Sequence, residues 1–168
     1  MIMAMKILFL QTGGTIDKDY PSGDDNHGYG FEITTPAYER ILKRVNPSFE
    51  YETKAILQKD SLDITDEDRQ SILQACKQSE AEKIVITHGT DTMIQTAALL
   101  AELTNKTIVL TGAMLPELFK DSDADFNLGC AVGAVTSCQP GVYIAMNGSL
   151  MGWDEVTFSD ATSQFIRK

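Results

Sequence analysis

Short blocks of consecutive apolar residues alternate along the chain with stretches whose apolar positions recur every three or four residues. The first block, Lys6–Gln11 (KILFLQ), has no polar residue between its ends and reads as a strand buried on both faces. Tyr51–Leu57, Lys83–Thr87, Thr107–Thr111 and Val142–Met146 predict four more strands. A helix is predicted from Pro36 with Thr35 as its cap; Tyr38, Ile41, Leu42 and Val45 share one face, and Asn46-Pro47 ends it. Thr65 with Asp68 three residues on resembles a capping box and opens a helix to about Gln78, its apolar face including Ile72, Ala75 and Cys76. The segment after Thr92, to about Leu103, is apolar on most sides and predicts a deeply buried helix; Phe126–Ser137 predicts another. Gly148–Ser159, which carries Trp153, predicts a short hairpin, and the polar, glycine-rich segment Pro21–Gly30 predicts a mobile loop.

Strands alternating with helices imply an α/β fold of three layers, doubly wound, with a mainly parallel sheet covered by helices on both faces. Ligands of such folds bind outside the carboxyl ends of the strands, where the strand order reverses. A length of 168 residues, 43% of them hydrophobic, suits a single domain with a real core.

Charge removes several classes of partner. With 14 basic against 24 acidic side chains the formal charge is −10, so no basic face is expected for nucleic acid or for an anionic membrane surface. No apolar run approaches the roughly 20 residues that span a bilayer. Met1–Leu10 has no small-residue cleavage site and runs directly into Gln11-Thr12-Gly13-Gly14, so it reads as a strand rather than a secretory leader. Cys76, Cys130 and Cys138 are odd in number and lack metal spacing; buried, reduced thiols and a cytoplasmic location are expected.

The chemistry gathers where strands end. Thr12-Gly13-Gly14-Thr15, His88-Gly89-Thr90-Asp91-Thr92 and Thr111-Gly112-Ala113-Met114 each follow a predicted strand, and Asp60-Ser61 follows a fourth. Glycine lets backbone approach a ligand closely, and threonine supplies hydroxyls that donate, accept or attack. The residues alone allow Thr15 or Thr90 as a nucleophile, with backbone amides as oxyanion donors. Asp91, acceptor-only when ionised, could hold a substrate ammonium or orient a neighbouring cation. Of the two histidines, His27 falls in the glycine-rich loop and His88 reads as a packed, hydrogen-bonded residue. Neither Gly-x-x-x-x-Gly-Lys-Ser/Thr nor Gly-x-Gly-x-x-Gly follows the first strand, which weakens a nucleotide reading.

Three of these segments together resemble the signatures of the bacterial-type asparaginase/glutaminase family: Thr12-Gly13-Gly14-Thr15-Ile16, Ile86 through Met93, and Gly112-Ala113-Met114-x-Pro116, with Phe126-Asn127-Leu128 recurring as well. The resemblance runs from about Lys6 to Thr157. It implies hydrolysis of the side-chain amide of asparagine, and of glutamine in many members, without metal or cofactor. It implies Thr15 as the acyl-enzyme nucleophile, Tyr20 (or Tyr29) as the loop tyrosine assisting it, and Thr90 as the second catalytic threonine. Asp91 would bind the α-ammonium and Ser61 the α-carboxylate, with Gly14, Gly89 and Ala113 completing the substrate contacts. The chain is similar to short members made of the N-terminal domain alone, for which a homodimer is expected. Two positions depart from the family pattern. Leu62 stands where a glutamine contacts substrate, and Phe158 aligns with the catalytic lysine.

Overall fold

A computed structural model describes residues 5–20 and 30–168. The chain runs through β1 (Lys6–Gly13), a 3-10 turn (Thr15–Asp17), β2 (Lys18–Asp19), β3 (Glu32–Ile33), α1 (Ala37–Val45) and β4 (Glu50–Lys59). A second 3-10 turn (Ser61–Asp63) leads to α2 (Asp66–Gln78), β5 (Lys83–Thr87), α3 (Met93–Leu100) and β6 (Thr107–Thr111). Then come α4 (Ala124–Ser137), β7 (Gly141–Met146), β8 (Ser149–Gly152), β9 (Val156–Ser159) and β10 (Gln164–Arg167). His27, Tyr29 and most of the predicted Pro21–Gly30 loop lie outside the described residues.

The main sheet has the order β4-β1-β5-β6-β7-β8, the first five strands parallel and β8 antiparallel to β7. Unbroken apolar runs form the central strands because both of their faces are covered. Ile7 and Phe9 of β1 pack with Tyr38, Ile41 and Leu42 of α1 and with Leu128 of α4. Leu8 and Leu10, pointing the other way, pack with Ile72 of α2 and Met93 of α3. The expected three-layer α/β architecture is therefore present.

One crossover breaks the usual hand. The steps β5–α3–β6 and β6–α4–β7 move in the same direction along the sheet, yet α3 and α4 lie on opposite faces. Their hands must be opposite. The β1–α1–β4 and β4–α2–β5 steps agree with β5–α3–β6, so the connection through α4 is the left-handed one, against a strong right-handed preference.

Several expectations need correction. The cap of α1 is not Thr35: no side chain caps through Pro36, and the Ala37 N–H donates to the distant Asp17 Oδ1 at 2.7 Å. Val45 is exposed, because Asn46 adopts a left-handed conformation and ends the helix at the edge of the core. The helix α3 stops at Leu100, where the chain tightens into a turn (Leu103 N–H to Leu100 C=O, 3.0 Å). Only its Met93, Thr96, Ala97 and Leu100 face is buried; Gln95 and Ala98 meet solvent. The helix α4 begins two residues earlier than expected.

The Gly148–Ser159 hairpin is instead two hairpins. Asn147 and Gly148, both at positive φ, turn β7 back into β8, the conformation that short hairpin loops require, while β9 pairs with β10. Of the cysteines, Cys76 alone is fully buried, and burial pushes its thiol up to about 12; Cys130 and Cys138 are half-buried, and all three are free. The capping box is present as expected: Thr65 Oγ1 accepts from the Asp68 N–H and the Asp68 carboxylate accepts from the Thr65 N–H.

Candidate active site

From β1 the chain steps to β4 on one side, then returns past β1 to β5 on the other, so the order reverses beside β1. The turns after β1, β4, β5 and β6 all leave from that carboxyl edge. They meet backbone to backbone. A Cβ on Gly14 would sit 2.4 Å from Gly89 Cα and N, and one on Gly89 would sit 2.6 Å from Ser61 Cβ and Oγ. A Cβ on Gly112 would meet the His88 carbonyl at 2.4 Å. Contacts that close exclude every side chain but hydrogen, so the glycines are what allow four turns to converge.

Half of the hydroxyls in these turns are committed to the scaffold. Thr12 Oγ1 donates to the Thr87 carbonyl (2.8 Å), Thr111 Oγ1 to the Ala145 carbonyl (2.7 Å) and Thr92 Oγ1 to the Ser61 carbonyl (2.8 Å). Thr15 and Thr90 remain, each half-buried and each one residue beyond the touching glycines Gly14 and Gly89. Ser61 is fully buried, and its Oγ has no hydrogen-bond partner, the condition of a polar atom that a ligand would satisfy. Asp91 is exposed and Ala113 is buried.

His88 has the packed role expected of it. Its Nδ1 lies 2.7 Å from the Gly89 carbonyl and so carries the proton, which leaves Nε2 to accept from Thr96 Oγ1 at 2.8 Å. Burial pushes its pKa down to about 4, so the ring is neutral and orders the turn rather than titrating in it.

Some residues were not legible as site residues in the sequence. The Asp17 carboxylate accepts from Ala37 N–H and from Gln11 Nε2 (3.0 Å), directly behind the Thr15 turn. Burial pushes its pKa up to about 7. Glu117 N–H donates to the Ile16 carbonyl (3.1 Å), and the Glu117 carboxylate is gripped by Arg40 (2.6 Å) and Arg44 (2.8 Å) of α1. Asp123 accepts from the Met114 and Leu115 amides, and Asn127 Nδ2 donates to the Gly112 carbonyl, which fixes the turn after β6. The available signal was an acid directly after Thr15-Ile16 in an otherwise uncharged turn.

The family model described as Asparaginase, N-terminal matches residues 6–164. The chain belongs to the asparaginase family. It is 35% identical over 153 residues to an L-asparaginase of Thermococcus kodakarensis, covering 88% of this chain and 45% of that protein. It is 32% identical over 161 residues to a glutaminase-asparaginase of Acinetobacter glutaminasificans, covering 90% and 49%. The solved thermostable L-asparaginase from Thermococcus kodakarensis superposes with a TM-score of 0.83 at 31% identity, over 97% of this chain and 51% of that one. The chain thus spans about half the length of the curated relatives it matches.

Within this asparaginase-family chain, Tyr20 and Phe158 pack on aromatic rings outside the converging turns, whereas Leu62 lies in the turn after β4 itself. Tyr20 is 52% exposed, its ring packed on Phe31 (5.4 Å), which in turn meets Phe119 (5.9 Å). Leu62 is 74% exposed and turned to solvent beside buried Ser61. Phe158 lies on the β9–β10 hairpin, edge-on to Phe165 at 5.2 Å. Among the described residues no cluster of His, Cys, Asp or Glu is placed to hold a metal ion, and no helix is long and apolar enough to cross a membrane.

Proposed function

We propose that the chain is an asparaginase-type amidohydrolase, releasing ammonia from the side-chain amide of asparagine, with glutamine as the alternative substrate. The observation that carries this reading is the convergence of Gly14, Gly89 and the unpartnered Ser61 Oγ at the point of strand reversal. Asparaginase-family relatives support the same chemistry. In this reading Thr15 Oγ1 attacks the amide carbon, backbone amides of the turns stabilise the oxyanion, and the nitrogen leaves as ammonia with the hydroxyl proton. Thr90 positions the water that cleaves the ester and releases aspartate. Asp91 holds the α-ammonium and Ser61 the α-carboxylate, local partners that a chain of net charge −10 needs for a zwitterion. Tyr20 is the loop tyrosine that assists Thr15. The assembly proposed is a C2 homodimer.

Purified protein is expected to release ammonia from asparagine, and Thr15→Ala is expected to lower kcat by about 10³-fold or more. Absence of release from both asparagine and glutamine at high enzyme concentration would overturn the reading.

Phe158 favours a second reading, binding of the amino acid without turnover, because an aromatic ring packed on Phe165 neither carries charge nor relays a proton. Under it, ligand raises the melting temperature of wild type without product. Phe158→Lys is then expected to raise ammonia release by about 10²-fold or more. An unchanged rate would remove Phe158 from the account.

A further inference from the structure

We propose that Asp17 is a positioning residue for Thr15: its buried carboxylate ties the turn carrying Thr15 to the first turn of α1 and to Gln11 at the end of β1. The inference rests on the reading of Thr15 as the nucleophile.

The Thr15–Asp17 turn is a single 3-10 turn, too short to hold its own shape. Its rigidity must come from outside. On one side the Ile16 carbonyl accepts from Glu117 N–H. On the other, Asp17 Oδ1 accepts from the Ala37 N–H and Oδ2 from Gln11 Nε2. Gln11 Nε2 also donates to the Thr34 carbonyl (2.8 Å), and Thr34 N–H donates to the Asp17 carbonyl (3.4 Å). Asp17 therefore ties down the Thr15 turn through its carboxylate, and the base of the β2–β3 pair that leads to Tyr20 through its carbonyl and through Gln11.

Both partners of the carboxylate are donors, so the ionised form, a full acceptor at each oxygen, serves them best; a proton weakens the oxygen that carries it as an acceptor. The groups facing it are Arg40 of α1, which favours the ionised form, and Glu117 of the turn after β6, which opposes it. Tyr38 of α1 is held neutral by burial. The adjoining Lys18 is paired with Asp60 at 2.8 Å. With the carboxyl pushed up by burial to about 7, these contacts strengthen and weaken across the neutral range.

The test follows the backbone amide shifts of Thr15, Ile16 and Ala37 in the ¹⁵N-labelled full chain from pH 5 to 8.5, alongside kcat and KM for asparagine. In wild type the Thr15 and Ala37 amides are expected to move together with one midpoint near 7, and in Asp17→Asn both are expected to be flat. Asp17→Asn is expected to lose about tenfold or more in kcat with KM changed less than about threefold, and to lose the acid limb of the profile. A Thr15 amide that stays still while Ala37 titrates would reduce Asp17 to a helix cap and overturn the proposal. So would an Asp17→Asn enzyme with the wild-type kcat and pH profile. Should Asp17→Asn fail to fold, Gln11→Met removes one donor at similar volume and is expected to raise the midpoint; an unmoved midpoint overturns the proposal. Should wild type release no ammonia, the nucleophile reading fails by itself, and the amide titration still judges the positioning.

Discussion

An alanine at position 14 is expected to destabilise the protein by about 2–5 kcal/mol, measured by urea unfolding against wild type. Two independent causes add. Gly14 has φ +89° with ψ 179°, a backbone conformation that residues with a Cβ rarely adopt, at a cost of about 1–2 kcal/mol. The new Cβ would also lie 2.4 Å from Gly89 Cα and N, backbone atoms that cannot rotate aside, and overpacking of that kind costs about 1–3 kcal/mol. Because relief can come only by separating the two turns, activity is expected to fall with stability. Gly129→Ala and Gly133→Ala serve as controls. A Cβ at either site on α4 meets nothing within 4 Å, and the change is expected to be neutral or to stabilise by about 0.5–1 kcal/mol. A loss below about 1 kcal/mol for Gly14→Ala would mean that the turns are not pressed together as described.

Two buried groups are expected to tilt the stability curve in opposite directions. His88 falls from its ordinary 6.5 to about 4 on folding, so between those values the unfolded chain binds the extra proton and stability rises with pH. Asp17 rises from 3.8 to about 7, so over that window the folded chain binds the extra proton and stability falls as pH increases. Each slope approaches about 1.4 kcal/mol per pH unit, and over pH 4.5–6.5 the two nearly offset. The variants separate them. Relative to wild type, Asp17→Asn is expected to gain stability as pH rises from 4.5 to 6.5, and His88→Gln to lose it, by about 2–3 kcal/mol across the range. Melting temperatures at four pH values would show this, and parallel curves for all three proteins would refute both assignments.

The fold was largely legible because each central strand is an unbroken apolar run, and a run buried on both faces leaves few alternatives. The threonine–glycine turns were legible for a related reason: glycine was needed wherever two backbones touch, so it marks Gly14, Gly89 and Gly112 in the sequence itself. What stayed hidden depends on contacts between residues distant in sequence. Nothing near Ala37 announces that its cap comes from Asp17, 20 residues earlier. Thr35 satisfied the local rule and lost to a carboxylate that tertiary structure delivers. The exposed side of α3 was misread because composition cannot tell a helix covered all round from one covered on a single face. The separate pairings of β8 and β9 depend on partners outside Gly148–Ser159: β8 pairs back onto β7 and β9 forward onto β10.

The left-handed step through α4 has a bearing on how the molecule is assembled as it is synthesised. By placing α4 on the face of α1, it brings Glu117 back against Ile16, a residue made about a hundred positions earlier. While β1, α1, β4, α2 and β5 are already available to pair, the Thr15 turn still lacks its second support. It acquires that support only when the chain beyond β6 has emerged and crossed to the opposite face. Contacts of such long sequence separation form late, since the entropy of closing the loop is lost before the contact returns anything. The fixed geometry of the Thr15 turn therefore waits on the segment beyond β6, and a chain made only as far as β5 holds Thr15 in a turn supported from one side.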